Sequence, residues 1–286
     1  MKILAMGDFH GAFPKKFYKI IKKEKIDLVV SNGDYPKFSL GKLYWKYVYP
    51  KRKEGKNLWD YISKKKYKEY RLKDIKTMQN VLAILNKLPV LVLTVAGNHD
   101  ESKWPDTIDK KYYKIQPKKW KWAEKDFFTP MVRSYRNIID INYSYRKCKN
   151  IIFIGGGPSS FPGMIKNNNY RKLKRKLDLL FKKFRKENKE RMVVFISHNV
   201  PYKTNLDKIG ANAHEIARNR HYGSKLVRRV INRWHPLLHI GGHISENQGK
   251  DKIGRTVLVN PGSAHEGKAA IIEIDKGKVK NIMFIR

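Results

Sequence analysis

Nine short apolar runs set the frame of this chain: Lys2 to Met6, Leu28 to Ser31, Val90 to Val95, Ile151 to Ile154, Met192 to Ser197, Leu237 to Ile240, Thr256 to Val259, Ala269 to Ile274 and Asn281 to Ile285. They are rich in Val, Ile and Leu and too short for buried helices, so they read as strands covered on both faces. Helical patterns lie between the early runs. Phe17, Ile20 and Ile21 point one way among lysines, and Ile75, Met78, Leu82 and Leu85 follow a three-and-four spacing, which an amphipathic helix with a period of about 3.6 requires. Strand and helix alternate first, and strands dominate the last third. The expected fold is α/β, with sheets packed together and helices outside.

The ends of these strands carry one kind of chemistry. Asp8 and His10 follow the first run; Asp34 follows the second, after Gly33; Asn98, His99 and Asp100 follow the third, after Gly97; His198 and His243 end two later runs. Carboxyl ends of parallel strands converge on one edge of a sheet, so residues far apart in sequence meet in one crevice. Carboxylates, amides and imidazoles are the ligand set for Zn, Mn or Fe(II), and the single cysteine, Cys148, excludes a thiolate site.

Charge narrows the partners. The 286 residues hold 63 Lys+Arg against 25 Asp+Glu, a formal net charge of +38. Thermophilic surfaces gain lysine too, but usually with glutamate beside it; here the acids do not keep pace, which favours a polyanionic partner. One cysteine forbids an intramolecular disulfide, and the opening MKILAMGDFHG is an apolar run broken at once by Asp8. No secretory leader and no membrane span are expected, and the chain reads as cytoplasmic.

Three segments break the alternation. Residues 41–76 carry 13 Lys/Arg against 4 Asp/Glu, interleaved with Tyr44, Trp45, Tyr47, Tyr49, Trp59, Tyr61, Tyr67 and Tyr70. Residues 101–136 repeat the flavour with Trp104, Tyr112, Tyr113, Trp120, Trp122, Phe127 and Phe128. Residues 169–191 form a basic helix with Leu173, Leu177, Leu180, Phe181 and Phe184 as its packing stripe. The first two segments follow Asp34 and Asp100 and should overhang the crevice as basic caps. Their aromatics either stack on bases or form a small core with lysines facing water. No P-loop and no G-x-S-x-G elbow is present, so a P-loop nucleotidase and a serine hydrolase have little support. Ser224, after Gly223, reads as a helix cap rather than a nucleophile.

The ordered set Asp8-Phe9-His10, Gly33-Asp34, Gly97-Asn98-His99-Asp100, His198 and Gly242-His243-Ile244-Ser245 resembles the DxH, GD, GNH(D/E), H and GHxH motifs of the calcineurin-like metallophosphoesterases. HIGGHISENQG from His239, VNPGSAHEGKAAIIEID from Val259 and HYGSKLVRRVI from His221 look most like the Icc-related phosphoesterases. The resemblance covers essentially the whole chain, as one domain over residues 1–286, apart from the two basic segments. It implies a four-layer αββα sandwich, two divalent ions (Mn, Fe or Zn), and hydrolysis of a phosphate ester by metal-activated water. By resemblance Asp8, His10 and Asp34 would hold the first ion, and Asp34, Asn98, His198 and His243 the second, with Asp34 as bridge. His99 would donate a proton to the leaving oxygen or stabilise charge on the phosphoryl group, with Asp100 as its orienting partner.

The last motif ends in Ser245 where the family has a second histidine. This leaves three outcomes open: water fills the gap, one ion suffices, or the protein binds phosphate without turnover. His265, His221, Glu246 and Asn247 are the residues that could reach the gap, whereas His239 lies four strand residues, about 13 Å, from His243. With the charge, the expected activity is that of a phosphodiesterase on nucleic acid or nucleotide, against an inactive fold member that binds RNA, DNA or another polyanion. A protein serine/threonine phosphatase is disfavoured, because Tyr35-Pro36 follows Asp34 in place of Asp-Arg-Gly.

Overall fold

The computed structural model describes residues 1–51, 54–103, 118–158, 168–210 and 217–286. Trp104, Tyr112 and Tyr113 lie outside the described residues. Among the described residues, twelve strands form two six-stranded sheets. The first has β1 (Lys2–Met6), β2 (Leu28–Ser31), β3 (Val92–Thr94) and β4 (Ile138–Asp140) in parallel, with β11 (Ala269–Asp275) antiparallel to β1 and β12 (Lys278–Ile285) on its outer edge. The second runs β5 (Tyr145–Cys148), β6 (Ile151–Gly155), β7 (Val193–Asn199), β8 (Leu238–Gly242), β10 (Thr256–Asn260) and β9 (Gly249–Ile253). Its inner four strands, β6, β7, β8 and β10, are parallel.

Alternation along each strand decides what every side chain faces. Ile3 and Ala5 of β1 join Val30 and Leu93 against Phe153, Val194, Ile196 and Ile240 of the second sheet. Leu4 and Met6 point the other way, onto Phe17 and Ile21 of α1 (Lys16–Lys23) and Met78, Leu82 and Leu85 of α4 (Lys64–Asn86). The outer face of the second sheet is covered by Leu173, Leu177 and Phe181 of α6 (Asn168–Lys183) and by Leu226, Val227, Val230 and Ile231 of α8 (Lys225–Trp234). The layers are therefore helix, sheet, sheet, helix. Each fully buried Leu, Ile or Phe contributes about 1.5–3 kcal/mol relative to exposure.

The stripe expected over residues 169–191 is present, but α6 ends at Lys183 and a short α7 (Arg185–Lys189) follows, with Phe184 between them at φ −105° and ψ 36°. Ser224 caps α8 by accepting from the Val227 amide at 3.2 Å, an arrangement worth about 1 kcal/mol.

Between β2 and β3 lie α2 (Gly41–Leu43), a π-helical turn (Tyr44–Val48), α3 (Trp59–Ile62) and the start of α4. Leu40, Val48, Leu58 and Tyr67 make a separate small core there, enclosed by Phe38, Tyr47, Trp59, Trp120 and Trp122. Of the two roles open to these aromatics, packing is the one seen for this set. Trp59, Tyr67, Trp120 and Trp122 meet one another with ring centroids 5.2–6.5 Å apart, and Lys64 and Lys68 lie over Trp120 and Trp122. Trp45 is exposed and lies 4.2 Å from Tyr49, centroid to centroid.

Candidate metal centre

Parallel pairing of β1, β2 and β3, and of β7 and β8, carries the loops after these strands to one edge of the sandwich. There the backbone is unusual. Asp8, His10, Asp34 and His243 all have positive φ, at 52°, 44°, 58° and 72°. Left-handed backbone is uncommon outside glycine and costs of order 1–3 kcal/mol for each strained residue, so surrounding contacts must hold these turns. They do: the Asp8 amide donates to Gly33 O at 2.9 Å, the His10 amide to Asp34 O at 3.0 Å and the His243 amide to the Asp8 carboxylate at 3.1 Å. The loops after β2 and β3 pass so closely that a Cβ on Gly33 would collide with the Gly97 amide, and one on Gly97 with the Asp34 carboxylate. Only glycine permits that approach.

Two groups of donor atoms result, each within 4.8 Å: Asp8, His10 and Asp34 in one, Asp34, His198 and His243 in the other. Asp34 belongs to both. In the second group, His198 Nδ1 faces the Asn32 carbonyl at 2.8 Å; a carbonyl only accepts, so Nδ1 donates there and Nε2 is turned into the site. That nitrogen lies 2.7 Å from Asn98 Oδ1, 3.2 Å from His243 Nδ1 and 3.5 Å from Asp34 Oδ2. A register shift in the β7–β8 ladder between Ile196 and Asn199 flanks His198; such irregularities often re-aim a side chain. In the first group His10 Nδ1 is buried without a hydrogen-bond partner. Converging lone pairs, an orphaned imidazole nitrogen and two buried carboxylates side by side fit divalent cations.

The electrostatics agree with that fit. Burial and the neighbouring Asp34 push the Asp8 carboxyl well above the usual range. Burial alone would raise Asp34 as well, but His198, His99 and His10 and the His99 amide outweigh it and hold Asp34 well below the usual range. Burial lowers His10, and it lowers His99 to about 4.

His99 lies at the rim of this cradle, with Nε2 4.0 Å from Asp34 Oδ2 and 3.1 Å from Asn98 Nδ2. The motif resemblance implies that Asp100 orients His99. Its buried carboxylate accepts backbone N–H groups from Gly97 at 2.6 Å, Tyr35 at 2.7 Å and Asp34 at 2.9 Å, which ties the loop after β3 to the loop after β2. Burial and the charge of Asp34 raise it to about 7 against those three bonds.

Residues that sequence analysis did not single out complete the surroundings. Phe38 stacks on the His99 ring at 3.9 Å between centroids. Arg71, buried in α4, pairs with Glu101 and Asp74 and donates to the His99 carbonyl at 3.5 Å. Their signals were faint: Phe38 stands four residues after Asp34, and Arg71 is one cation in a lysine-rich helix. Ser263 donates to the Asp8 carbonyl at 3.0 Å, so the turn after β10 reaches the site. Of the residues considered for the place left by Ser245, His221 is held by Asp207 at 2.7 Å and Asn247 donates to Lys208 O. His239 is buried in the sheet, bonded to Ser197 at 2.8 Å.

Residues 1–246 match the family model described as calcineurin-like phosphoesterase. The chain belongs to this family. A protein of Methanocaldococcus jannaschii, MJ1162, itself uncharacterized, is 29% identical over 127 residues, which is 43% of this phosphoesterase-family chain and 53% of that protein. The chain thus spans about half the length of this curated relative. Among solved structures, TT1561 of Thermus thermophilus matches with TM-score 0.54 and 13% identity over 100% of this chain and 98% of its own. A dimetal phosphatase from Danio rerio matches with TM-score 0.52 and 12% identity over 99% and 95%. At these identities the likeness is one of fold, and the sandwich is that of calcineurin-like phosphoesterases. No described helix is long and apolar enough to cross a membrane.

Proposed function

We propose that this chain is a divalent-metal-dependent phosphodiesterase acting on nucleic acid or nucleotide. The observation that carries the reading is the Asp34 carboxylate shared between two donor groups, the arrangement a two-ion centre requires. Asp8, His10 and Asp34 would hold one ion, and Asp34, Asn98, His198 and His243 the other. Such a pair acidifies water at neutral pH and neutralises charge on the phosphoryl oxygens. The dimetal phosphatase of Danio rerio, which shares the fold, supports the reading.

The chain's own groups divide the remaining tasks. His99, kept neutral by burial, would donate a hydrogen bond from its ring N–H to stabilise charge on the phosphoryl or leaving oxygen. Phe38 fixes the plane of that ring. Asp100 is a positioning residue, holding the Asp34 and Gly97 backbones through its three amide bonds. The described parts of residues 41–76 and 101–136 would act as a basic cap beside the site, whose exposed Lys64, Lys65 and Lys66 draw in a polyanion.

Hydrolysis of bis(p-nitrophenyl) phosphate and p-nitrophenyl phosphate by metal-stripped protein, titrated with Mn²⁺, Zn²⁺ and Mg²⁺, tests the reading, with Asp34→Asn in parallel. Metal-dependent cleavage of the diester, lost in the variant, is expected. Polyanion binding without turnover under any metal would favour the second reading, a non-catalytic binder, for which Ser245 and the net charge of +38 speak.

A further inference from the structure

The two halves of the cradle are unequally furnished. Asp34, Asn98, His198 and His243 offer four donors on one side, whereas Asp8, His10 and Asp34 offer three on the other. An ion such as Zn²⁺ takes at least four ligands and Mn²⁺ usually more. We infer that His265 supplies the missing nitrogen on the Asp8–His10 side. This rests on the metal-dependent reading above and adds to it a ligand from a part of the chain that carries none of the strand-end motifs.

Backbone contacts place His265 there. It sits in a 3-10 turn, Ala264–Glu266, after β10. The Ala264 amide donates to Gly7 O at 2.8 Å, Ser263 Oγ to Asp8 O at 3.0 Å and the His265 amide to Asp8 O at 3.3 Å. Three bonds thus fasten the turn to the residues just before His10. The far side is fastened as well, since Gln248 Nε2 donates to the carbonyls of Pro261, Ala269 and Ile285.

From this platform the His265 ring meets the His10 ring edge-on, with centroids 6.5 Å apart. Two imidazoles sharing one ion tetrahedrally through bonds of about 2.1 Å have centroids about 5.3 Å apart, so the His265 ring needs to close by only about 1 Å to share an ion with His10. His265 is exposed, which leaves its ring room to turn inward. The competing residues are less suited. His221 and Asn247 are engaged elsewhere, and Glu246 is the rival that the Glu246→Ala variant below separates.

The test is metal binding rather than turnover. Metal-stripped protein is dialysed against Mn²⁺ or Zn²⁺ and bound metal is counted by elemental analysis across a concentration series, for the native chain, His265→Ala and Glu246→Ala. The native chain and Glu246→Ala should bind two ions, and His265→Ala should bind one with unchanged affinity and the other at least 10-fold more weakly. Two ions held normally by His265→Ala, a loss in Glu246→Ala instead, or one ion in the native chain would each overturn the assignment. Failure of the phosphoesterase reading looks different: both ions bind as expected and no ester is cleaved.

Discussion

The floor of the site and the aromatic cluster beside it are held together by opposite means. On the floor, buried polar side chains are fixed by backbone in three places: Asp100 by three amides, His198 by the Asn32 carbonyl, Asp8 by the His243 amide. In the cluster the core is aromatic, and exposed lysines place their ammonium groups over the rings. The floor gives up stability for geometry, accepting positive φ at four residues. The cluster carries no comparable strain at its rings and leaves its charge free to meet a partner. Chemistry and attraction are thus assigned to separately built parts, and each can be broken alone.

The largest effect belongs to the floor. Asp34→Asn should lower metal-dependent turnover by at least about 10³-fold, because one oxygen of the shared carboxylate becomes an amide with no charge. Polyanion affinity, measured by fluorescence anisotropy, should stay within about twofold. Equal loss of both would merge the two regions into one. Next comes the seam. Arg71→Ala leaves Asp74 and Glu101 without their buried cation, a change that typically costs about 3–5 kcal/mol. Hydrogen exchange should report faster exchange in the first half of α4, with β1 to β3 still protected. Uniform loss across both would show that the cluster has no separate stability.

How much of this the sequence disclosed follows the same division. The floor was legible because apolar strands end in donor residues, so Asp8, His10, Asp34, Asn98, His198 and His243 could be named and the layered fold anticipated. Strands without an apolar run were not: β5 exposes Tyr145, Arg146 and Lys147, and β9 (Gly249–Ile253) alternates polar residues on a sheet edge. In the cluster, aromatic residues among lysines allow either a base-stacking surface or a core, and only tertiary contact separates the two. Phe38 on His99 and Arg71 on the His99 carbonyl depend on long-range approach that no local pattern encodes.

A third measurement asks which region fails first in acid. Burial lowers His239 to about 3, against about 6.5 in the unfolded chain. Its folded-state pKa lies below the unfolded one, so the neutral ring's contribution is whole above about pH 6.5 and falls as pH drops toward 3, by up to about 1.4 kcal/mol per pH unit. His239→Leu should flatten the stability profile between pH 6.5 and 4 by about one proton, read from urea melts. An unchanged slope would place the acid-sensitive groups outside the sandwich core.

The smallest effect is expected in the cluster. Replacing Lys64, Lys65 and Lys66 together with Ala removes three exposed charges at the start of α4 and leaves Ser63 as the cap accepting from residue 66. Binding to a single-stranded oligonucleotide should weaken roughly 10-fold near 0.1 M salt, and the slope of log K against log[salt] should become shallower by up to about 2. Turnover of the small diester should be unchanged, since that substrate has no chain for the lysines to follow. A slope that stays put while the small diester slows would reverse the assignment: attraction would then reside in the rest of the +38 surface, and the lysines would serve the floor by holding Trp120, which Lys64 covers at 5.4 Å.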